Sequence, residues 1–441
     1  MNIKAFLKGI IRKKEAKNAS WIIGAKIIKM VFSLIVSIIT ARYLGPNNFG
    51  LIGYATTYVT FFGVICTLGY DSVIIKEFYD HPSDEGTALG SALLFREIIS
   101  IVSIFIIIGI VAILDKGEKE TLLVVFLCSV GLLFQVFDSF NYWFQSKYNS
   151  KIVAVGTLIA YIFISLYKIA LYLLKKDVYW FAVSNAIDYL CIGLILVYCY
   201  KKYTGPKLHI SAKKGFNMLR SSYHYILSGL MVAVYGQTDR LMLKQMIGES
   251  EVGYYTLAVQ ICSMWVFVLA AIIESMYPTI LHSYNEGNLK KFNRDNKMLY
   301  SLVFYLSVFV SLLITIFAGV AIRFVYGNAY DGSVMPLRII TWYTAFSYLG
   351  VARNAWIVCE GKQKYLKYMY GIAAITNIFL NFILIPVWGA SGAALASLIT
   401  QLLTSIGLPL LIREMRPNAM LMINAILLKG MLKKKRKIDH E

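Results

Sequence analysis

Asp239 and Arg240 stand side by side near the end of an apolar run, in the stretch VYGQTDRLMLKQMIGESEVGYYTLA (residues 234–258). Taking either charge out of water is costly unless a partner meets it, so an ionisable pair there marks a candidate site. Neighbours in sequence point about 100° apart around a helix, and the two need not pair with each other. A second group lies near the start of the chain. Lys26, Lys29, Ser33, Ser37 and Thr40 recur every three or four residues and form one polar stripe on a helix. A stripe with two lysines faces the protein interior or water more cheaply than lipid. Lys29 is the deeper of the two, whereas Lys26 is close enough to the helix end to reach headgroups. Arg353, near the inner end of another apolar run, stands between the same two placements. Basic groups in such places suit an anionic ligand, and carboxylates beside a watery cavity can change protonation. Lys26, Lys29, Ser33, Ser37, Arg240 and Arg353 are therefore the candidate binding residues. Asp71, Asp239 and Glu274 are the candidates for ion coupling or ion pairing.

The elements that position these residues are membrane helices. The chain of 441 residues is 58% hydrophobic and 15% charged, a balance that excludes a soluble domain of this size. A helix crosses a bilayer core with about 20 apolar residues. Twelve runs of that kind are expected, over 19–44, 51–70, 91–114, 121–145, 152–174, 178–200, 223–246, 254–280, 298–325, 335–359, 365–386 and 387–412. Lysine and arginine gather before the first run, between the sixth and seventh, after the eighth and tenth, and in the tail Lys433–Lys437. With twelve spans all these fall on one side, which the positive-inside rule makes cytoplasmic, both termini included. The formal net charge of +20 is then a matter of topology and anionic lipid, not of nucleic acid. Residues 1–18 read as an interfacial amphipathic segment, with Ile3, Phe6, Leu7, Ile10 and Ile11 on one face. The first span lacks a small-residue cleavage site and is expected to be retained.

Several chemistries find no support. There is no Gly-x4-Gly-Lys-Ser/Thr loop for a nucleotide-driven motor and no His-Glu-x-x-His. The six cysteines (66, 128, 191, 199, 262 and 359) sit in or beside apolar runs without metal spacing, and neither metal nor cofactor is expected. In WGASGAALAS (388–397) small residues four apart allow close helix packing.

The chain also repeats itself. Residues 43–55 laid over 246–258 match Gly45 with Gly248, Gly50 with Gly253 and Ala55 with Ala258. Residues 141–151 laid over 354–364 match Asn141, Trp143 and Lys151 with Asn354, Trp356 and Lys364. Two duplicated bundles of six spans are expected, at 19–200 and 221–412, joined by a basic linker at 201–220 and followed by a basic tail at 413–441. An even number of spans gives both halves one orientation. The first register also sets Asp71 on Glu274 and Ser37 on Arg240.

ARYLGPNNFGLIGYA after the first span and TDRLMLKQMIGESEVGYYTLA in spans seven and eight resemble the Wzx-type polysaccharide exporters. These are the O-antigen and capsule-repeat flippases of the multidrug/oligosaccharidyl-lipid/polysaccharide superfamily; PVWGASGAALAS fits the same pattern. The resemblance implies an all-α, V-shaped, MATE-like membrane protein with two six-helix bundles around a central cavity. It also implies a bacterial cytoplasmic (inner) membrane location and an undecaprenyl-diphosphate-linked oligosaccharide as cargo, moved between leaflets by alternating access. A polysaccharide polymerase and a chain-length regulator are the implied protein partners. A related lipid II flippase lines its cavity with cations; Lys26, Lys29 and Arg240 would take that part here. Lysines cannot supply the bidentate fork of arginine. Tyr54, Tyr58, Tyr235 and Trp265 are candidates for stacking on sugars. Drive must come from H+ or Na+ coupling or from consumption of the product.

Two alternatives differ in class. A cation-coupled multidrug exporter of the same superfamily shares the bundles but buries acids to meet cationic drugs, whereas the deep charges here are mainly basic. A membrane glycosyltransferase or polymerase needs a large outer loop with catalytic side chains, and every outer loop expected here is short.

Overall fold

The computed structural model describes residues 14–147 and 149–429, with side chains from Met30 onward except those of Ser72, Ser150 and Ser228. Residues 1–13 of the segment expected at 1–18, the side chains of Lys26 and Lys29, and the Lys433–Lys437 run lie outside the described residues. Among the described residues every regular element is helical. The order is α1 (Lys14–Cys66), α2 (Ile74–Asp80), α3 (Glu85–Leu114), α4 (Lys119–Ser129), α5 (Gly131–Gln135), α6 (Ser139–Ser146), α7 (Ser150–Leu173) and α8 (Val178–Lys202). Then come α9 (Ala212–Met246), α10 (Glu249–Ser263), α11 (Phe267–Asn285), α12 (Leu289–Val325), α13 (Val334–Cys359), α14 (Leu366–Leu402), α15 (Leu408–Leu411) and α16 (Arg416–Ile426).

The chain is an all-α integral membrane protein. Its polarity runs opposite to that of a soluble domain: Phe105, Ile113, Val320 and Phe324 are exposed, while Arg96, Arg353, Asn377 and Asn381 are buried. Such a surface suits a solvent of hydrocarbon, in which helices satisfy their own backbone groups. By length and apolarity seven described helices can cross a membrane, or eight if the bent pair α10–α11 counts as one span. The twelve passes expected are not obtained from that measure. Two of the seven, 30–66 and 363–411, each contain a break, at Gly45 and Gly389.

Two compact units divide between Ala233 and Val234, inside α9. In the first, an aromatic core gathers Tyr70, Phe78, Phe140, Trp143, Phe144 and Tyr200. Trp143 donates to Glu85 Oε2 at 3.0 Å, and Lys147 closes on the other oxygen at 2.6 Å. The segment before α9 runs over Gly86 and Gly90 of α3, where a Cβ would overlap the carbonyls of Lys207 and His209. In the second unit, Leu269, Phe292, Tyr300, Leu349 and Trp356 form the core, and α16 docks on α12 through Asn418, which donates to Tyr300 Oη at 2.7 Å.

The repeat is visible in the backbone. Gly45 (φ 69°, ψ 173°) and Gly248 (φ 139°, ψ −178°) both turn the chain between two helices in conformations that only glycine adopts cheaply. Trp143 and Trp356, matched in the second register, are both buried near the ends of their helices. Arg96, near the start of the third apolar run, is 1% exposed. Its guanidinium donates to the carbonyls of Cys66 (3.1 Å), Val136 (3.4 Å) and Gln135 (3.2 Å), and to Ser139 Oγ (2.6 Å). At the short 3₁₀ turn Val136–Asp138 the Val136 carbonyl accepts from Ser139 N–H, and Arg96 adds a second donor to it and one to Gln135 O.

Gly389 (φ 53°, ψ −133°) carries two constraints at once, since a Cβ there would also meet the Glu251 carboxylate, which accepts from Ala390 N–H at 2.5 Å. Gly45 has open space around its missing Cβ. Gly45→Ala is expected to cost about 1–3 kcal/mol from backbone strain alone, and Gly389→Ala more. Thermal unfolding in detergent checks the order; equal losses would show that the Glu251 contact contributes nothing.

Candidate functional site

Residues 234–246 are the end of α9 in the second unit, and there Asp239 and Arg240 part company. Asp239 is buried and faces α10 and α14. Its Oδ1 accepts from Asn381 Nδ2 at 2.6 Å; its Oδ2 accepts from Ser397 Oγ at 2.6 Å and from the Tyr255 hydroxyl. Asn381 also donates to Asn377 Oδ1 at 3.1 Å, four residues earlier on α14. Both asparagines are fully buried, and Asn381 Oδ1 and Asn377 Nδ2 have no partner among the described residues. Three donors on two oxygens make this carboxylate the polar junction of three helices.

Arg240 turns away from Asp239, and the two form no ion pair among the described residues. Its Nε donates to Thr256 Oγ1 at 3.2 Å and its Nη1 to Gln237 Oε1 at 2.7 Å, with the guanidinium 5.9 Å from the Tyr255 ring centre. A guanidinium has five N–H donors, so three remain for a ligand. They border a cavity of about 280 Å³ lined by Tyr235, Gln237, Asp239, Arg240, Tyr255 and Ser397 on its polar side. Val259, Val266, Ile340 and Tyr348 are on the other. At about 30 Å³ per water the space holds roughly nine waters, room for a diphosphate or one sugar ring.

The other sequence candidates scatter. Ser37 is buried on α1 with no partner for its hydroxyl among the described residues, as is Thr40, while Val31 and Ile35 are exposed. The stripe therefore turns inward at those positions, and Ser33 meets the Tyr161 hydroxyl of α7. Arg353 does not line the cavity; it is 1% exposed and its Nη1 donates to the carbonyls of Thr404 (3.1 Å) and Ser405 (3.4 Å). Asp71 and Glu274 are both exposed. Of the aromatic candidates, Tyr54 and Tyr58 are buried and bonded to each other, Tyr54 also to Asp115 at 2.7 Å. Trp265 packs on the core of the second unit, and only Tyr235 borders the cavity. Tyr255, Asn381, Ser397 and Gln237 are additions from the structure. For Asn381 and Ser397 the signal is a run of polar residues four apart inside apolar helices: Asn377 and Asn381, then Ser397, Gln401 and Ser405.

Comparison with known proteins places this architecture. Residues 16–284 match the family described as polysaccharide biosynthesis protein. The chain belongs to that family. A second family, MatE, matches 225–383. Among relatives, the capsular polysaccharide biosynthesis protein CapF of Staphylococcus aureus is 21% identical over 87% of this chain and 96% of its own. The lipid II flippase MurJ of Bacillus subtilis is 26% identical over 46% of this chain and 42% of its own. In three dimensions the family member superposes on lipid II flippase MurJ in an inward closed conformation with TM-score 0.72, at 14% identity, over 93% of this chain and 92% of that one. An inward-facing MATE multidrug transporter gives 0.70, at 14% identity, over 91% and 96%. Likeness at this identity shows a shared fold.

Truncating Asp239 leaves three buried donors without an acceptor, each worth about 1–3 kcal/mol. Asp239→Ala is therefore expected to lower stability by about 3 kcal/mol or more, and Arg240→Ala, at the cavity wall, by clearly less. Thermal melts of the two purified variants compare them, and a deeper loss for Arg240→Ala would contradict the assignment.

Proposed function

We propose that this protein is a flippase for a lipid-linked oligosaccharide, of the undecaprenyl-diphosphate type used for O-antigen, capsule or exopolysaccharide. In this reading the second-unit cavity receives the anionic head. The observation that carries it is Arg240, whose unused N–H fork opens on a cavity of headgroup size. Family membership and the names of the relatives support the same cargo class. A multidrug exporter of the same fold would meet a cationic drug with acids along its cavity, and among the described residues Asp239 is the one acid on this cavity's lining. The cavity offers a guanidinium instead.

The pair suggests how export is coupled. With Asp239 ionised and Arg240 cationic the polar wall is neutral overall; with H+ or Na+ on Asp239 it is net positive and attracts a diphosphate. Two unit charges about 6 Å apart at an effective dielectric of about 20 interact by about 3 kcal/mol, roughly 100-fold in affinity. Linkage makes the effect reciprocal, so binding the anion favours loading of the cation. Asp239 thus takes the coupling role in place of Asp71 and Glu274, and Arg353 is left to a structural one. Lys26 and Lys29 remain proposed contacts, with Ser33 and Ser37 on their stripe. A polymerase and a chain-length regulator would act on the product, at the outer face of a bacterial cytoplasmic membrane, with both termini inside.

Arg240→Ala is expected to reduce surface polysaccharide at least about 10-fold at normal protein level, and Arg240→Lys to keep part of it because the charge survives and the fork does not. Asp239→Asn is expected to remove the dependence of export on H+ or Na+. Normal export by Arg240→Ala, scored by surface glycan staining, would refute the reading.

A further inference from the structure

The helix that carries Ser397 to Asp239 contains one irregular turn. After α14, residues Leu403–Gly407 form a π-turn, and Leu408 N–H reaches back to Leu403 O instead of Thr404 O. The next residue, Pro409, has no N–H at all, so Ser405 O also loses its helical donor. Both stranded carbonyls are met by Arg353, from α13. In a hydrocarbon environment an unpaired carbonyl is costly, which gives this buried guanidinium a definite task.

Ser397 and Gln401, upstream of the turn, and Ser405, within it, lie four apart in sequence. Ser397 bonds Asp239; Gln401 accepts from Tyr235 Oη at 2.7 Å and donates to Ser405 Oγ at 3.0 Å; Ser405 donates to Phe346 O at 2.7 Å. Which face of α14 meets Asp239 thus depends on the register held at the π-turn. Relaxing one π-turn to α-helix passes one residue through it and rotates the flanking helix by about 100°. That rotation takes Ser397 off Asp239 and Gln401 off Tyr235.

We propose that the Leu403–Gly407 π-turn is a register latch, created by Pro409 and held by Arg353, and that Arg353 is a positioning residue for Asp239 acting through Ser397. The latch closes with Ser397 on an ionised Asp239 and opens when Asp239 loads its cation and releases the Ser397 hydroxyl. This rests on the coupling role given to Asp239 above.

Deleting Ile406 in the full-length chain tests it. Removing one residue turns the π-turn into α-helix with both flanks in place, so the Ser397–Asp239 contact persists but the register can no longer slip. The deletion is expected to melt within about 4 °C of the parent, while export of the cell's own surface polysaccharide falls at least about 10-fold. Parental export by the deleted chain would overturn the latch. If the deleted chain does not accumulate, hydrogen exchange in nanodiscs decides instead. Arg353→Gln is expected to speed exchange across 397–407 about 10-fold and Arg353→Lys less, with 100–107 in the first unit unchanged. Unchanged exchange in Arg353→Gln would overturn it. Parental ion dependence in Asp239→Asn would instead overturn the coupling role, a separate outcome from either exchange result.

Discussion

A carboxylate buried in a membrane helix has to be met by donors from its own protein, and that requirement organises the second unit. Asp239 draws in Tyr255 from α10 and Asn381 and Ser397 from α14, which fixes the faces these helices present to one another. With Asp239 held by neutral donors, Arg240 is not needed to neutralise it. The arginine turns instead to Gln237, Thr256 and the cavity. Adjacent residues of opposite charge so acquire separate surroundings, Asp239 joining three helices and Arg240 bordering the cavity; ion loading and anion binding are the tasks proposed for them.

The same rule explains where helices break. A backbone in lipid cannot leave carbonyls unpaired, so irregular turns survive only where a side chain supplies what the helix does not. Arg353 does this at the π-turn before Pro409, and Arg96 adds further donors to the carbonyls at the 3₁₀ turn Val136–Asp138. Both are among the largest fully buried side chains of the protein. At Gly389 the partner is a carboxylate, Glu251, which takes the N–H of Ala390. Among the buried arginines, Arg96 and Arg353 therefore serve the backbone and Arg240 faces a cavity.

That division sets the limit of what the sequence reveals. Membrane class, helical fold and the equivalence of the Gly45 and Gly248 turns are legible, because composition and a glycine-only conformation leave direct traces. Asp239 and Arg240 stand out because charge in an apolar run is costly anywhere. What the pair does is not legible, since two of the three donors to Asp239, Asn381 and Ser397, come from residues more than a hundred positions away. Arg353 and Arg96 look alike in sequence to Arg240; their carbonyl partners depend on turns that no local pattern specifies, although Pro409 is a clue to one of them. Asp71 and Glu274 show the reverse case, matched in the repeat yet exposed in the structure.

The central claim is that the cavity beside Asp239 holds an anionic headgroup on Arg240. Electron cryomicroscopy of the full-length protein in nanodiscs with undecaprenyl diphosphate locates the phosphates directly. The account predicts phosphate density within hydrogen-bonding distance of Arg240 and Gln237, absent in Arg240→Ala. Density for the phosphates elsewhere, unchanged in that variant, would contradict it.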